Sequence, residues 1–220
     1  MMFGTEGRPE EGIHRNTKPS MATVVYLIRH AAYENPRKVY HGWLPGFHLS
    51  REGKLQAQRL ALKLKNKPLV AVYSSHLSRA KETAEIIAKP QHLKVTIDDR
   101  IIDIKSPLQG EPITYLESVN WNQYRPEFIK AGGERLSEVY KRMDRFLKEK
   151  LKVHHGEQFA VVSHGDPIMV LKVKYLGDRL SFSSVRKRYD YIYMAGCLRL
   201  EFANNGKFLD IETLDNSRQI

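Results

Sequence analysis

Five consecutive apolar or aromatic residues, Val24-Val25-Tyr26-Leu27-Ile28, run directly into Arg29-His30. A strand with one wet face alternates apolar and polar side chains, so an unbroken run predicts a strand buried on both faces, as in a parallel sheet. Leu69-Val70-Ala71-Val72-Tyr73 and Phe159-Ala160-Val161-Val162-Ser163 repeat the pattern. Ligands of open α/β sheets bind beyond the carboxyl ends of such strands. Whatever follows these runs is therefore where chemistry is expected.

The segments between them read as helices. Ser50 is placed to cap a helix carrying Gly53, Ala57, Leu60, Ala61 and Leu64 on one face, closed by Pro68. Leu77, Ala80, Ala84 and Ile87 form the stripe of a second helix ending near Pro90, and Lys94 to Ile97 reads as a short strand. Leu136, Val139, Tyr140, Met143, Phe146, Leu147 and Leu151 define a long amphipathic helix. Asp166 and Pro167 suit the cap and first position of a helix reaching about Tyr175, with Gly177 in its terminal turn. Tyr189 to Met194, Cys197 to Phe202 and Lys207 to Ile211 read as strands, the last two joined by an Asn205-Gly206 hairpin. Residues 105–133, interrupted by Pro107, Pro112 and Pro126, predict an insertion or lid over one end of the sheet, with one short helix near Tyr115 to Tyr124. The expected fold class is α/β: a three-layer sandwich with a mostly parallel central sheet, helices on both faces and an antiparallel edge.

A length of 220 residues suits one domain over 22–220. Residues 1–21 lack an apolar stretch and read as a disordered leader or an expression remnant rather than a signal peptide. No run approaches the roughly 18 apolar residues that a membrane span needs. The single cysteine, Cys197, excludes an intrachain disulfide, and a cytoplasmic location is expected by default. The net charge of +11 belongs to the domain, because the leader carries three basic and three acidic residues. Such a balance favours anionic partners. With neither a helix-turn-helix nor an aromatic RNA-stacking signature, a phosphorylated small molecule is the expected partner rather than nucleic acid. Homodimerisation through the edge strand stays open.

Three buried runs end in polar chemistry: Arg29-His30, then Ser74-Ser75 with Arg79 in the next helix, then Ser163-His164-Gly165. Parallel strands bring these ends to one edge, so two arginines and two histidines converge. Guanidinium forks match phosphate oxygens and stay charged. Neutral imidazole is a competent nucleophile, and a second imidazole can hydrogen-bond the same phosphate. A leaving alkoxide needs an acid, which either Asp103 or Glu111 can supply if burial raises its pKa. No metal is expected, since the arginines neutralise the phosphoryl charge, and no cofactor is implied.

At these residues the chain resembles the histidine phosphatase superfamily, the phosphoglycerate mutase-like proteins of branch 1. The resemblance rests on Leu27-Ile28-Arg29-His30, the segment Leu49 to Ala57, the segment Tyr73 to Ala84, and Val161-Val162-Ser163-His164-Gly165. It implies His30 as the nucleophile that forms a phosphohistidine. It also implies Arg29, Arg79 and His164 as phosphoryl ligands, the Gly165 amide as an assistant, and Asp103 as the acid/base where the family usually has Glu. The first motif departs from the family: Ala31 replaces Gly, Tyr33 takes the hydroxyl position, and Asn35 lies one residue early but is still expected to reach the phosphate. Tyr33, His41, Trp43 and His48 are expected at the substrate mouth.

The activity expected is metal-independent hydrolysis of a small phosphomonoester through phosphohistidine on His30, releasing inorganic phosphate. A phosphoglycerate-type mutase is the alternative, and an inactive fold that binds phosphorylated or nucleic-acid ligands is the second.

Overall fold

The computed structural model describes residues 22–215; the leader expectation lies outside them. Six strands form one sheet in the order β3-β2-β4-β1-β5-β6. They are β1 (Thr23–Arg29), β2 (Leu69–Ser74), β3 (Val95–Ile97), β4 (Gln158–Ser163), β5 (Cys197–Phe202) and β6 (Phe208–Asp215). β1, β2, β3 and β4 are mutually parallel, whereas β5 runs antiparallel to both β1 and β6. The sheet is therefore mostly parallel with an antiparallel edge, as the pattern predicts.

The unbroken apolar runs of β1 and β4 are explained by what covers each face, whereas β2 departs from the expectation in leaving Val70 exposed near its start. Val25, Leu27, Phe159 and Val161 pack with α5 (Leu136–Val153) and α6 (Gly165–Tyr175). Their sequence neighbours Val24, Tyr26, Ile28, Ala160 and Val162 pack on the opposite face with α1 (Arg51–Leu64) and α2 (Ser78–Ala88). Successive side chains of a strand point to opposite faces, so both parities must be apolar. Ser50 caps α1 by accepting from the Gly53 amide at 3.0 Å. A Cβ on Gly53 would lie 1.7 Å from the Ala32 carbonyl oxygen. Glycine there lets α1 approach the loop that follows β1.

Three local expectations are corrected. Tyr189 to Met194 is not a strand. Its sequence suggests one, but the flank of β1 that it approaches is already paired with β5. The helix after β4 begins at Gly165 with His164 as its N-cap. Asp166 therefore sits inside the first turn and is buried, bonded to side chains rather than capping. Residues 105–133 hold two short helices, α3 (Ile113–Ser118) and α4 (Pro126–Lys130), where the sequence predicts one. Proline is well suited to a first helical position, so Pro126 opens α4 rather than breaking it. Among the described residues no helix is long and apolar enough to cross a membrane.

Candidate active site

β1 and β4 are neighbours in register, with Arg29 opposite Ser163, and β2 flanks β4 on its other side with Ser74 opposite Val162. The chain ends just beyond them are tied together: the His30 amide donates to the Ser163 carbonyl at 2.9 Å, and the Ser75 amide to the Val162 carbonyl at 3.3 Å. His30 and His164 consequently face one another with ring centroids 5.2 Å apart. Arg79, in the first turn of α2, is 1% exposed and reaches between them. It donates from Nε to His30 Nε2 at 3.3 Å, and from Nη2 to the Gly42 carbonyl and Asp103 Oδ2, both at 3.1 Å. His164 Nδ1 lies 3.3 Å from the same Nη2, and its Nε2 is hydrogen-bonded to Ser75 Oγ at 2.8 Å.

The tautomer of His30 follows from its partners. Nδ1 lies 2.9 Å from the Ala31 carbonyl, which can only accept, so Nδ1 carries the proton. Nε2 then holds a lone pair, facing Arg79. Burial first, then the charges of Arg79, His164 and Arg29, holds the His30 imidazole well below its ordinary value. Burial does the same for His164 and, less strongly, for His41. A neutral, oriented imidazole with an unprotonated Nε2 is what a nucleophile requires.

Burial opposes ionisation of Asp103, but the neighbouring His164, His41 and Arg79 outweigh it and hold the carboxyl well below the usual carboxylate range. Its position is over-determined. Trp43 Nε1 and Arg142 Nη2 donate to the Asp103 carbonyl at 2.9 and 3.0 Å. Arg142 also binds the carbonyls of Arg100 and Ile102 while gripping Glu134, and Ser163 Oγ donates to the Ile101 carbonyl at 2.7 Å. Glu111 takes no part: its side chain is exposed, and its carbonyl accepts from the Tyr40 amide.

His41 and Tyr33 complete one wall. Tyr33 Oη and His41 Nδ1 lie 2.8 Å apart, His41 Nε2 is 3.7 Å from Asp103 Oδ2, and the Tyr33 ring lies beside both His30 and the Arg79 guanidinium. Arg29 donates from Nη1 to the Ile192 carbonyl and stacks on Tyr191. Its Nε is buried with no acceptor among the described residues, a donor that an incoming oxyanion would satisfy. Asn35 is not brought in: its amide nitrogen donates to the Val39 carbonyl and its oxygen accepts the Val39 amide, closing a loop turn. His48 also lies apart from the cavity, paired with Glu82.

The structure adds residues that no motif marks. Asp166 accepts from Tyr124 and Tyr191 at 2.6 Å each and pairs with Arg186 at 2.8 Å. Burial pushes both phenols up, so they remain donors. A Cβ on Gly165 would lie 2.2 Å from Tyr191 Oη, so glycine there leaves room for this cluster. The cavity at the centre is about 60 Å³ and is lined by Arg29, His30, His41, Asp103 and Gly165, with Tyr191 and Arg186 at its side. One water-sized probe occupies about 10–15 Å³, so the space takes a few oxygens and little more.

The neutral imidazoles make stability depend on pH. The unfolded chain protonates His30, His41 and His164 near 6.5, whereas the folded protein resists it. As pH falls below about 6.5 the unfolded state binds more protons, so stability drops by up to about 1.4 kcal/mol per pH unit for each imidazole that stays neutral. Asp103 acts in a lower window: its contribution is present above about pH 4 and is lost as pH falls toward its depressed folded value. Urea unfolding between about pH 7 and pH 5 should record the histidine loss, and a flat profile there would contradict the burial of neutral imidazoles.

The chain is similar to several known proteins. Phosphoserine phosphatase 1 of Hydrogenobacter thermophilus is 36% identical over 76% of this chain and 85% of its own length. A probable phosphoglycerate mutase of Escherichia fergusonii is 30% identical over 70% of this chain and 74% of its own. The solved structure of Bacillus stearothermophilus YhfR superposes with a TM-score of 0.74 at 26% identity, covering 86% of this chain and 95% of that one. The model of the histidine phosphatase superfamily (branch 1) matches residues 25–210. The chain belongs to that superfamily.

Proposed function

We propose that the protein is a phosphomonoester hydrolase working through a phosphohistidine on His30. The observation that carries the proposal is the unprotonated Nε2 of a buried, neutral His30, whose lone pair faces a buried arginine that donates to it at 3.3 Å and can turn to a phosphoryl oxygen. Nε2 attacks phosphorus, the P–O ester bond breaks, and its electron pair leaves on the alkoxide. Arg79, Arg29 and His164 hold the equatorial oxygens, and catalysis is mostly positioning and charge neutralisation.

Asp103 supplies the proton. It is ionised in the empty site, but an ester that enters as its monoanion draws Arg79 toward itself and places like charge beside the carboxylate. Both effects raise its pKa and draw the substrate's acidic proton onto it. That proton passes to the alkoxide. The carboxylate then takes a proton from water, which attacks phosphorus, breaks the N–P bond, returns the electron pair to Nε2 and releases inorganic phosphate. The relative named as a phosphatase supports hydrolysis over transfer to a second sugar acid.

The test is hydrolysis of p-nitrophenyl phosphate with EDTA present, run beside an exchange assay on phosphoglycerates. Release of inorganic phosphate without exchange is expected. Exchange without release would make the protein a mutase.

A further inference from the structure

The cavity beside His30 shares part of its wall with a second hollow. Trp121, Tyr191 and Arg186 line both, and the second, of about 470 Å³, has Glu117, Asn120, Phe182 and Lys187 as its remaining walls. The inner space of about 60 Å³ takes a phosphoryl group, whereas the outer one lies in the 300–1,000 Å³ range of small-molecule sites. The shared residues put the second hollow within reach of the leaving group of a substrate anchored at His30.

The chemistry of the hollow narrows what that group is. Its two cations, Arg186 and Lys187, are matched by two carboxylates, Glu117 within it and the buried Asp166 that binds Arg186. No net charge is left to select a second anionic group. Flat surfaces remain: the Trp121, Tyr191 and Phe182 rings, with the Arg186 guanidinium over Tyr191 at 4.6 Å. Trp121 is pre-positioned. Its inner side packs with Tyr40, Leu108, Leu116 and Phe128, and its amide donates to the Leu116 carbonyl at 2.7 Å. Its backbone and that of Asn120 are left-handed, at φ 58° and 53°, a conformation costly for a bulky residue unless its surroundings hold it there.

Resting on the phosphatase reading, we infer that the outer hollow is a leaving-group subsite for a planar aromatic or heteroaromatic ring, so the preferred substrates are ring-bearing phosphomonoesters. Rings stack on aromatic side chains and on arginine planes alike. Asn120 and Glu117 are available to the ring's polar edge.

The test measures binding separately from turnover. Calorimetry on the His30→Ala protein compares adenosine 5′-monophosphate with ribose 5-phosphate, which differ by the ring. The ring should tighten binding on the order of tenfold, as a single stacked base does elsewhere. Adding Phe182→Ala should remove most of that increment while ribose 5-phosphate binds as before, because Phe182 does not line the inner cavity. Trp121→Ala should also remove the increment, and circular dichroism checks that each variant is folded. Equal affinities, an increment that survives both substitutions, or failure of both phosphates to bind would overturn the subsite. If the wild-type protein neither turns over p-nitrophenyl phosphate nor gains a phosphoryl group while the ring increment persists, the hydrolase reading fails and the subsite stands. Turnover without the increment leaves the hydrolase and removes the subsite.

Discussion

His30→Ala is expected to lower kcat by on the order of a thousandfold or more, because it removes the atom that takes the phosphoryl group and not merely a contact. Hydrogen bonds from Arg29, Arg79 and His164 could still bind the ester, so KM should change far less than kcat. The fold should persist, since β1 and β4 are tied by their backbones and not by this imidazole. The same substitution carries a thermodynamic signature. It deletes one of the buried neutral imidazoles, so the fall in stability below about pH 6.5 should become shallower by about 1.4 kcal/mol per pH unit at most. Activity within tenfold of wild type would mean that another group is the nucleophile.

Arg79→Ala should damage both activity and stability, through different contacts. Losing a preorganised donor to the transition state costs about 10²–10³ in rate. In the folded protein the same guanidinium is the permanent cation on Asp103, whose side chain is only 11% exposed. Removing one partner of a buried pair typically costs about 3–5 kcal/mol, because the other charge is left uncompensated. Neutralising that charge in turn, with Asp103→Asn in the Arg79→Ala protein, should recover part of the stability and none of the activity. Urea unfolding and steady-state kinetics on the single and double variants separate the two effects. If the double variant is no more stable than the single one, Arg79 is not balancing Asp103.

The sheet and the reacting centre were legible because each depends on local pattern plus one topological rule. Apolar runs of both parities mean strands covered on both faces, and parallel strands align their carboxyl ends, which brings Arg29, His30, Ser75 and His164 together. The α1 stripe was equally readable: all five residues picked by helical spacing are buried. The surroundings were less legible, for identifiable reasons. Tyr189 to Met194 reads as a strand in the sequence, yet Tyr191 is committed to Asp166 and Ile192 to Arg29. Asp166 before proline has the chemistry of a cap, but a half-buried arginine and two phenols compete for its oxygens. Asn35 lies near His30 in sequence and closes its own turn instead, as short amide side chains commonly do. Arg142 is an ordinary helix cation in sequence, and only the fold places it under the carbonyls that fix Asp103. Long-range partners of this kind leave no periodic signal.

The central claim is the covalent intermediate, and rapid quenching tests it most directly. The protein is mixed with labelled phosphomonoester in EDTA, stopped in alkali within the first turnover, digested, and mapped by mass spectrometry. A phosphoryl group that survives alkali, is lost in acid and resides on the peptide containing His30 is the predicted result. Full turnover with no phosphoryl group on His30 would contradict the account, since the phosphoryl group would then pass to another residue or directly to water.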